Sequence, residues 1–180
     1  TDLLDRVWSD RPSLPGNAVF EHLPPEATVG RSEKLTQLRK VLCERGADWH
    51  FIATLDDIAW LFNLRGSDVS YNPVFVAFAL ISQEQAILFV APSKIDAGIR
   101  QALAGDGVEL RDYAQIHAAL AAIAVDRRLL IDPARVTRGL IDSVSAQVRL
   151  VEGPNPTTLA KSQKTPADLL HIRNAMEQDG

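Results

Sequence analysis

The sequence of 180 residues has little of three things that would define its class. Its single cysteine, Cys43, excludes an internal disulfide and a thiolate cluster for zinc, so we expect a reducing compartment, the cytoplasm. The longest apolar run, 74–81, is too short for the ~20 residues of a bilayer-crossing helix, so no membrane partner is expected. The net charge is −4, with 19 basic and 23 acidic residues, which disfavours nucleic acid as a partner.

Motifs of several common chemistries are also absent. Neither a Gly-x4-Gly-Lys-Ser/Thr phosphate loop nor a three-glycine dinucleotide fingerprint occurs. Adjacent acids on a helix point about 100° apart, so we expect Asp56 or Asp57 to cap a helix and not to form a metal site. The sequence predicts no catalytic residue and no metal ligand in this chain. The histidines, none one helical turn from another, are His22, His50, His117 and His171.

What the sequence does contain is an alternation of strand and helix patterns. Apolar runs at 74–81 and 86–91 flank a short polar segment, which is typical of a hairpin of buried strands. From residue 108 onward, strand and helix patterns alternate, which favours parallel crossovers. We therefore expect an α/β fold, a mixed sheet with helices on both faces. Further strand patterns lie at 49–54, 108–113, 128–131 and 147–151, and helical ones at 32–45, 55–61, 95–103, 115–125, 136–144 and 155–161.

Both ends of the chain differ from this pattern. Residues 9–29 hold four prolines, which exclude regular structure throughout and favour a tethering linker. Before it, an apolar helical face begins at Leu3 and Leu4. Near the other end, Thr165 and Pro166 are typical of a helix start, and the apolar residues that follow need a covering surface. We expect 1–29 to be the end of one domain with a linker, 30–161 a central domain, and 162–180 the start of another.

One segment is unusually rich in hydrogen-bonding side chains. Residues 60–75 have the sequence WLFNLRGSDVSYNPVF. Loops of this kind are often functional, because a glycine lets the backbone turn while polar groups gather around it. The structural alternative is that Asn63 and Asp68 satisfy the turn's own backbone and that Arg65 pairs with Asp68. The candidate cleft or interface residues are Asn63, Arg65, Gly66, Ser67, Asp68 and Asn72.

This segment resembles a motif of the three-domain Xaa-Pro aminopeptidases, or aminopeptidase P, of the creatinase and prolidase superfamily. The resemblance runs through IAWLFNLRGSDV at 58–69 and NPVF at 72–75. Met176 departs from the family pattern, since many relatives have histidine there. Supporting matches extend over nearly the whole chain: DRVW at 5–8, DRP at 10–12, LAKS at 159–162, Lys164, Thr165, Arg173, Ala175, Asp179 and Gly180.

The resemblance implies the family's middle domain, a three-layer α/β/α fold with a mixed, roughly six-stranded sheet. It implies a parent metallopeptidase that removes the N-terminal residue from peptides with proline second, using two divalent metals, typically manganese. The family's metal ligands, Asp, His and Glu side chains, lie in a catalytic domain downstream. The fragment is therefore expected to hold no cofactor and to be inactive alone. Its expected partners are its own catalytic domain, a second subunit and, in the parent, proline-containing peptides.

In such a parent, the polar segment is expected to form a rigid corner that packs against the catalytic domain or a partner subunit and narrows access to short peptides. Residues 162–180 are then the start of the catalytic domain. Two alternatives stay open. The chain is either the N-terminal domain of a prolidase or creatinase-type hydrolase, or a stand-alone binding or assembly module. The longer link out of the first domain and the string from Asn63 to Phe75 favour aminopeptidase P over the first alternative.

Overall fold

The computed structural model describes residues 7–8 and 10–179. Its strands are β1 (Phe20–Glu21), β2 (Trp49–Ile52), β3 (Leu64–Arg65), β4 (Ala77–Ser82), β5 (Ala86–Val90), β6 (Val108–Arg111), β7 (Arg128–Ile131) and β8 (Arg149–Glu152). Its α-helices are α1 (Arg31–Glu44), α2 (Leu55–Phe62), α3 (Ala97–Gly105), α4 (Ile116–Ala121), α5 (Arg138–Ile141), α6 (Pro156–Ser162) and α7 (Pro166–Asp179). Short 3₁₀ turns lie at Pro92–Lys94 and Tyr113–Gln115.

Six strands form one mixed sheet in the order β6-β5-β4-β2-β7-β8. Strand β4 runs antiparallel to both of its neighbours, whereas β5 with β6, β2 with β7, and β7 with β8 are parallel. The predicted hairpin is confirmed as β4 and β5, in register from the pair Ala77 and Val90 to the pair Ile81 and Ala86. The α/β class and the mixed sheet are therefore as the sequence predicts.

Two hydrophobic cores lie on the two faces of this sheet. Alternate residues of a strand point to opposite faces, so Ala79 and Ile81 belong to the core with α1, α2 and α3, while Leu80 belongs to the core with α4 and α5. Each large side chain buried in these cores contributes roughly 1.5–3 kcal/mol. Because β4 and β5 are covered on both sides, their sequences read as continuous apolar runs.

The first part of the predicted 74–81 strand is not in the sheet. The Val76 N–H donates to the Asp68 carboxylate over 2.6 Å, and the Asp68 N–H donates to the Val74 carbonyl over 3.1 Å. These groups are therefore bonded to the polar segment, and β4 begins only at Ala77. Helices α4 and α5 are likewise shorter than the predicted 115–125 and 136–144.

The two ends of the chain agree with the sequence-based predictions to different degrees. Within the proline-rich stretch, β1 pairs antiparallel with β3, so this part of the chain lies against the domain. The helix start at Thr165 is confirmed, since its hydroxyl accepts the Asp168 N–H while the Asp168 carboxylate accepts the Thr165 N–H. Leu3 and Leu4 lie outside the described residues. No helix in the described part is long and apolar enough to cross a bilayer.

Candidate functional site

The polar segment begins where α2 ends, at Asn63. This residue has φ 51° and ψ 45°, the left-handed conformation that stops a helix and that asparagine tolerates. Its side-chain amide donates to the Val29 carbonyl over 2.9 Å, and its Oδ1 accepts from Lys34. Its own carbonyl accepts the His22 N–H over 2.8 Å. Asn63 therefore points inward and ties α1, α2 and β1 together.

Gly66 lets the segment approach the chain that leads into β4. A Cβ placed on Gly66 would lie 2.8 Å from Phe75 Cβ and 3.2 Å from the Val74 carbonyl oxygen. Because such distances are below van der Waals contact, a larger residue would push the two segments apart. The glycine is required here by close packing, not by a positive φ.

Asp68 holds the segment in place through a buried ion pair. Its Oδ2 contacts Lys94 Nζ and accepts the Val76 N–H, while Oδ1 has no hydrogen-bond partner. The side chains of Asp68 and Lys94 are 0% and 2% exposed. The alternative in which Arg65 pairs with Asp68 is wrong. Arg65 Nη1 instead donates to the carbonyls of Ala59 and Leu64, each over 2.9 Å.

The remaining candidates face outward. Ser67 and Asn72 are exposed, together with Val69 and Tyr71 between them. The Ser67 carbonyl accepts the Asn17 side-chain amide over 3.0 Å. The six predicted residues are therefore close in space but fall into three groups. Asn63, Gly66 and Asp68 build the corner, Arg65 lies at its edge, and Ser67 and Asn72 form an exposed rim.

Three cations surround the C-terminal end of α2, and of these the sequence pattern singled out Arg65 but neither Arg31 nor Lys34. Arg31 Nε donates to the Phe62 carbonyl over 2.7 Å, Lys34 Nζ to the Trp60 carbonyl over 2.8 Å, and Arg65 to the Ala59 carbonyl. Unpaired carbonyls and the helix dipole make this end negative. A sequence signal for Lys34 exists, because it precedes the buried residues Leu38 and Leu42 at intervals of four.

The Lys34 ammonium is buried, 4.4 Å from the centre of the Trp60 ring. Burial, reinforced by the charges of Arg65 and Arg31, lowers the pKa of Lys34 to about 8, with Asp168 acting in the opposite direction. Burial also lowers the pKa of Arg65 from its usual value. The pKa of His22 is lowered by burial and then by Arg65 and Lys34. The charges of Lys34 and Arg65 therefore act on each other and on His22 in this corner of the molecule.

The acids Asp56 and Asp57 do not cap α2 as predicted, since no side chain bonds to the first-turn backbone of that helix. The Asp57 carboxylate accepts from Thr158 over 2.6 Å and from Thr54 over 2.8 Å. Lys161 contacts both carboxylates, at 3.0 Å from Asp57 Oδ1. The two acids thus share one partner on α6, and their role is to join α2 to α6.

His50 and His117 are each held by a hydrogen bond with a neighbouring oxygen. His50 is buried, its Nδ1–H donates to the Leu130 carbonyl over 3.1 Å, and burial lowers its pKa to about 4. His117 Nδ1 lies 2.7 Å from the Ser143 hydroxyl, but that hydroxyl donates to the Gly139 carbonyl, so His117 does not act as its base. Cys43 is exposed.

The described residues do not fit a metal centre. No three His, Cys, Asp or Glu side chains in the ranges 7–8 and 10–179 come close enough together to hold an ion. Asp57 and Asp68, the buried acids of the site, are already bound to Lys161 and Lys94.

These features define a mixed α/β domain with a polar corner beside its central sheet. A family model described as the creatinase/prolidase N-terminal domain matches residues 10–168. The chain belongs to this family. The fold and the family are thus as the resemblance implies.

The chain is also similar to part of several longer proteins. It is 35% identical to Aminopeptidase P1 of Arabidopsis thaliana, with 100% of this chain aligned to 32% of that protein. It is 32% identical to the probable Xaa-Pro aminopeptidase P of Sordaria macrospora, covering 31% of it. It spans about a third of the length of these curated relatives.

Among solved structures, the chain is similar to X-prolyl aminopeptidase from Caenorhabditis elegans, described as a cytosolic enzyme with a di-nuclear active site. The TM-score is 0.88 at 23% identity, covering 97% of this chain and 29% of that one. A prolidase from Pyrococcus horikoshii gives a TM-score of 0.53 at 17% identity, covering 81% of this chain and 39% of that one. At these identities the likeness concerns the fold alone.

Proposed function

We propose that this chain is the non-catalytic domain of an Xaa-Pro aminopeptidase that removes the N-terminal residue from peptides with proline second. One observation carries the proposal: the whole chain aligns at 35% identity with a protein named as an aminopeptidase P, of which it covers 32%. The reacting groups are then in the remaining part of that protein. Within the proposal, 30–161 is the middle domain and 162–180 begins the catalytic domain.

The role proposed for the domain is to flank the active-site cleft. The inward-facing ion pair of Asp68 and Lys94 supports this role, because it fixes the segment from which Ser67 and Asn72 project. An exposed rim on a rigid base suits contact with a catalytic domain or a second subunit. Such contact would restrict the cleft to short peptides.

The cofactor and the compartment belong to the same proposal. Two divalent metals, manganese by family resemblance, would be held by the catalytic domain, and the di-nuclear site named for the Caenorhabditis elegans enzyme supports the number. That enzyme is also described as cytosolic. With a single cysteine in this sequence, we propose the cytoplasm.

The full-length protein tests the proposed activity. We expect it to release alanine from the tripeptide Ala-Pro-Leu in the presence of Mn²⁺, while the 180-residue chain under the same conditions releases none. Turnover of the dipeptide Ala-Pro but not of the tripeptide would favour the prolidase alternative. Turnover by the 180-residue chain alone would overturn the non-catalytic assignment.

A further inference from the structure

Two cavities meet at the C-terminal end of α2. A polar cleft of about 390 Å³ is lined by His22, Lys34 and Arg65. An apolar groove of about 230 Å³ adjoins it, and Lys34 and Trp60 line both. The groove lies between α1 and α6, and its apolar residues are Leu38, Val41, Pro156, Leu159 and Ala160. One ligand with a charged end and an apolar end can therefore occupy both spaces.

Of the three cations that line the cleft, Lys164 donates to the Lys161 carbonyl, and neither Lys34 nor Arg65 has a carboxylate partner among the described residues. Lys34 is 5% exposed, and within ranges 7–8 and 10–179 its ammonium contacts the Trp60 carbonyl, the Asn63 amide oxygen and the Trp60 ring. Arg65 donates from Nη1 to two backbone carbonyls, and its Nε and Nη2 make no hydrogen bond within the described ranges. Arg31 differs, because it pairs with Glu21 and Asp106.

The helix end compensates these charges only in part. The carbonyls that receive Lys34 and Arg65 belong to the consecutive residues Trp60 and Ala59, so both cations lie at the same end of α2. The C-terminus of a helix carries the equivalent of about half a negative charge. Two unpaired cations exceed that charge, and a buried cation without a counterion is costly.

The acids that line the cleft form no direct ion pair with Lys34 or Arg65 in the described part of the chain, although Asp168 favours the charged form of Lys34 at longer range. Asp168 is bound to neutral donors, accepting from Thr28 over 2.7 Å and from Thr165 over 2.9 Å. Glu26 and Glu33 are exposed and form no ion pair with a described residue. These three acids around the cleft favour a ligand with one negative charge over a doubly charged phosphate.

We propose that the cleft binds the C-terminal carboxylate of a short peptide through Lys34 and Arg65, and that the adjoining groove takes the peptide's terminal apolar side chain. A carboxylate presents two oxygens, which allows each cation to bind one of them. The Trp60 ring at the shared wall suits a flat or branched apolar side chain. Such a site would measure peptide length from the C-terminus.

The inference rests on the proposed function only for the source of the peptide. The binding test therefore uses the 180-residue chain without turnover, titrated with Ala-Pro-Leu and with its C-terminal amide and followed by NMR chemical shifts. We expect the free acid to bind roughly tenfold tighter or more, because a charge-assisted hydrogen bond is lost in the amide. Equal binding of acid and amide overturns the inference.

Three variants locate the effect. Lys34→Met and Arg65→Met are each expected to abolish the preference for the acid. Lys40→Gln removes an exposed lysine from the same helix α1 and should keep it. Two cleft variants are used so that a folding defect in one, seen in its NMR spectrum, leaves the other to decide. A preference that survives in a folded cleft variant places the site elsewhere and overturns the inference.

Kinetics of the full-length protein separate this inference from the proposed function. If the enzyme cleaves both peptides, we expect the amide to raise KM roughly tenfold with little change in kcat. Cleavage of both with equal KM overturns the cleft inference and leaves the proposed function intact. If the 180-residue chain binds the acid but the full-length protein cleaves neither peptide, the proposed function fails and the cleft inference stands.

Discussion

Two buried lysines of this domain are stabilised in different ways. Lys94 meets the inaccessible carboxylate of Asp68, so its charge is neutralised by a partner within the fold. Lys34, nearly as buried, meets the Trp60 carbonyl, an amide oxygen and an aromatic ring, none of which carries a full negative charge. The Asp68–Lys94 pair holds two segments of the fold together, whereas Lys34 leaves a positive charge at the wall of a cavity.

The difference shows how structural and ligand-binding polar groups can be distinguished within one short segment. Asp68 and Arg65 are three residues apart, yet Asp68 is paired with Lys94, whereas Arg65 lines the cleft with no acidic partner among the described residues. A buried charge that is fully paired contributes to specificity of the fold. One that is not paired marks a place where an anion would be stabilised.

The largest expected effect is the loss of stability when Lys94 loses its carboxylate partner. Asp68→Ala leaves the Lys94 ammonium buried without its counterion and removes the acceptor of the Val76 N–H. We expect the free energy of unfolding of the chain, measured by urea titration, to fall by about 3–5 kcal/mol. That is a large share of the stability of a domain of this size.

The matched control is the double variant Asp68→Ala with Lys94→Met. Replacing both charged partners with neutral groups avoids the stranded cation, so the double variant is expected to be more stable than Asp68→Ala alone. A single variant that loses less than about 1 kcal/mol would show that the ion pair does not fix the corner.

The second effect concerns the close contact beneath that corner. Gly66→Ala places a methyl group 2.8 Å from Phe75 Cβ, which we expect to destabilise the chain by roughly 1–3 kcal/mol. Gly139→Ala is the control, because its Cβ would meet open space within α5. The melting temperature should fall for Gly66→Ala and rise for Gly139→Ala. An unchanged melting temperature for Gly66→Ala would show that residues 74–75 can move to make room for the methyl group.

Lys34 provides the third and smaller effect. At pH 7, Lys34→Met removes a cation that has no counterion, so we expect unfolding free energies within about 1 kcal/mol of the wild type. Because the pKa of Lys34 is lowered to about 8, the unfolded chain binds this proton more tightly than the folded chain between pH 8 and 10.5. The wild type should therefore gain stability over that range relative to Lys34→Met.

Lys40→Met is the control for this pH dependence, since Lys40 is exposed on the same helix. Urea titrations of the three proteins at pH 7 and pH 9.5 give the comparison directly. Parallel pH profiles of wild type and Lys34→Met would mean that Lys34 is paired with an anion or hydrated in solution, which would remove the contrast with Lys94.

The sequence predicts the sheet and the location of the corner better than it predicts the contacts within it. The β4–β5 hairpin follows from local apolar runs, and the polar segment is visible as a string. The Asp68–Lys94 pair joins residues 26 positions apart in different elements, and no periodicity predicts it. Lys34 resembles a solvated helical lysine unless its spacing to the buried Leu38 is noticed.

The smallest effect on the isolated chain is expected at the rim. Asn72→Ala changes an exposed side chain, so the unfolding free energy of the 180-residue chain should stay within about 0.5 kcal/mol. In the full-length protein the same variant is expected to alter KM or assembly, because the rim is proposed to contact the catalytic domain or a second subunit. Asn155→Ala, at a buried asparagine bonded to Asp57, should behave oppositely and lower the stability of the chain alone. If Asn72→Ala left full-length kinetics and assembly unchanged, the rim would be an ordinary solvated surface. Only the corner residues Asn63, Gly66 and Asp68 would then have a role.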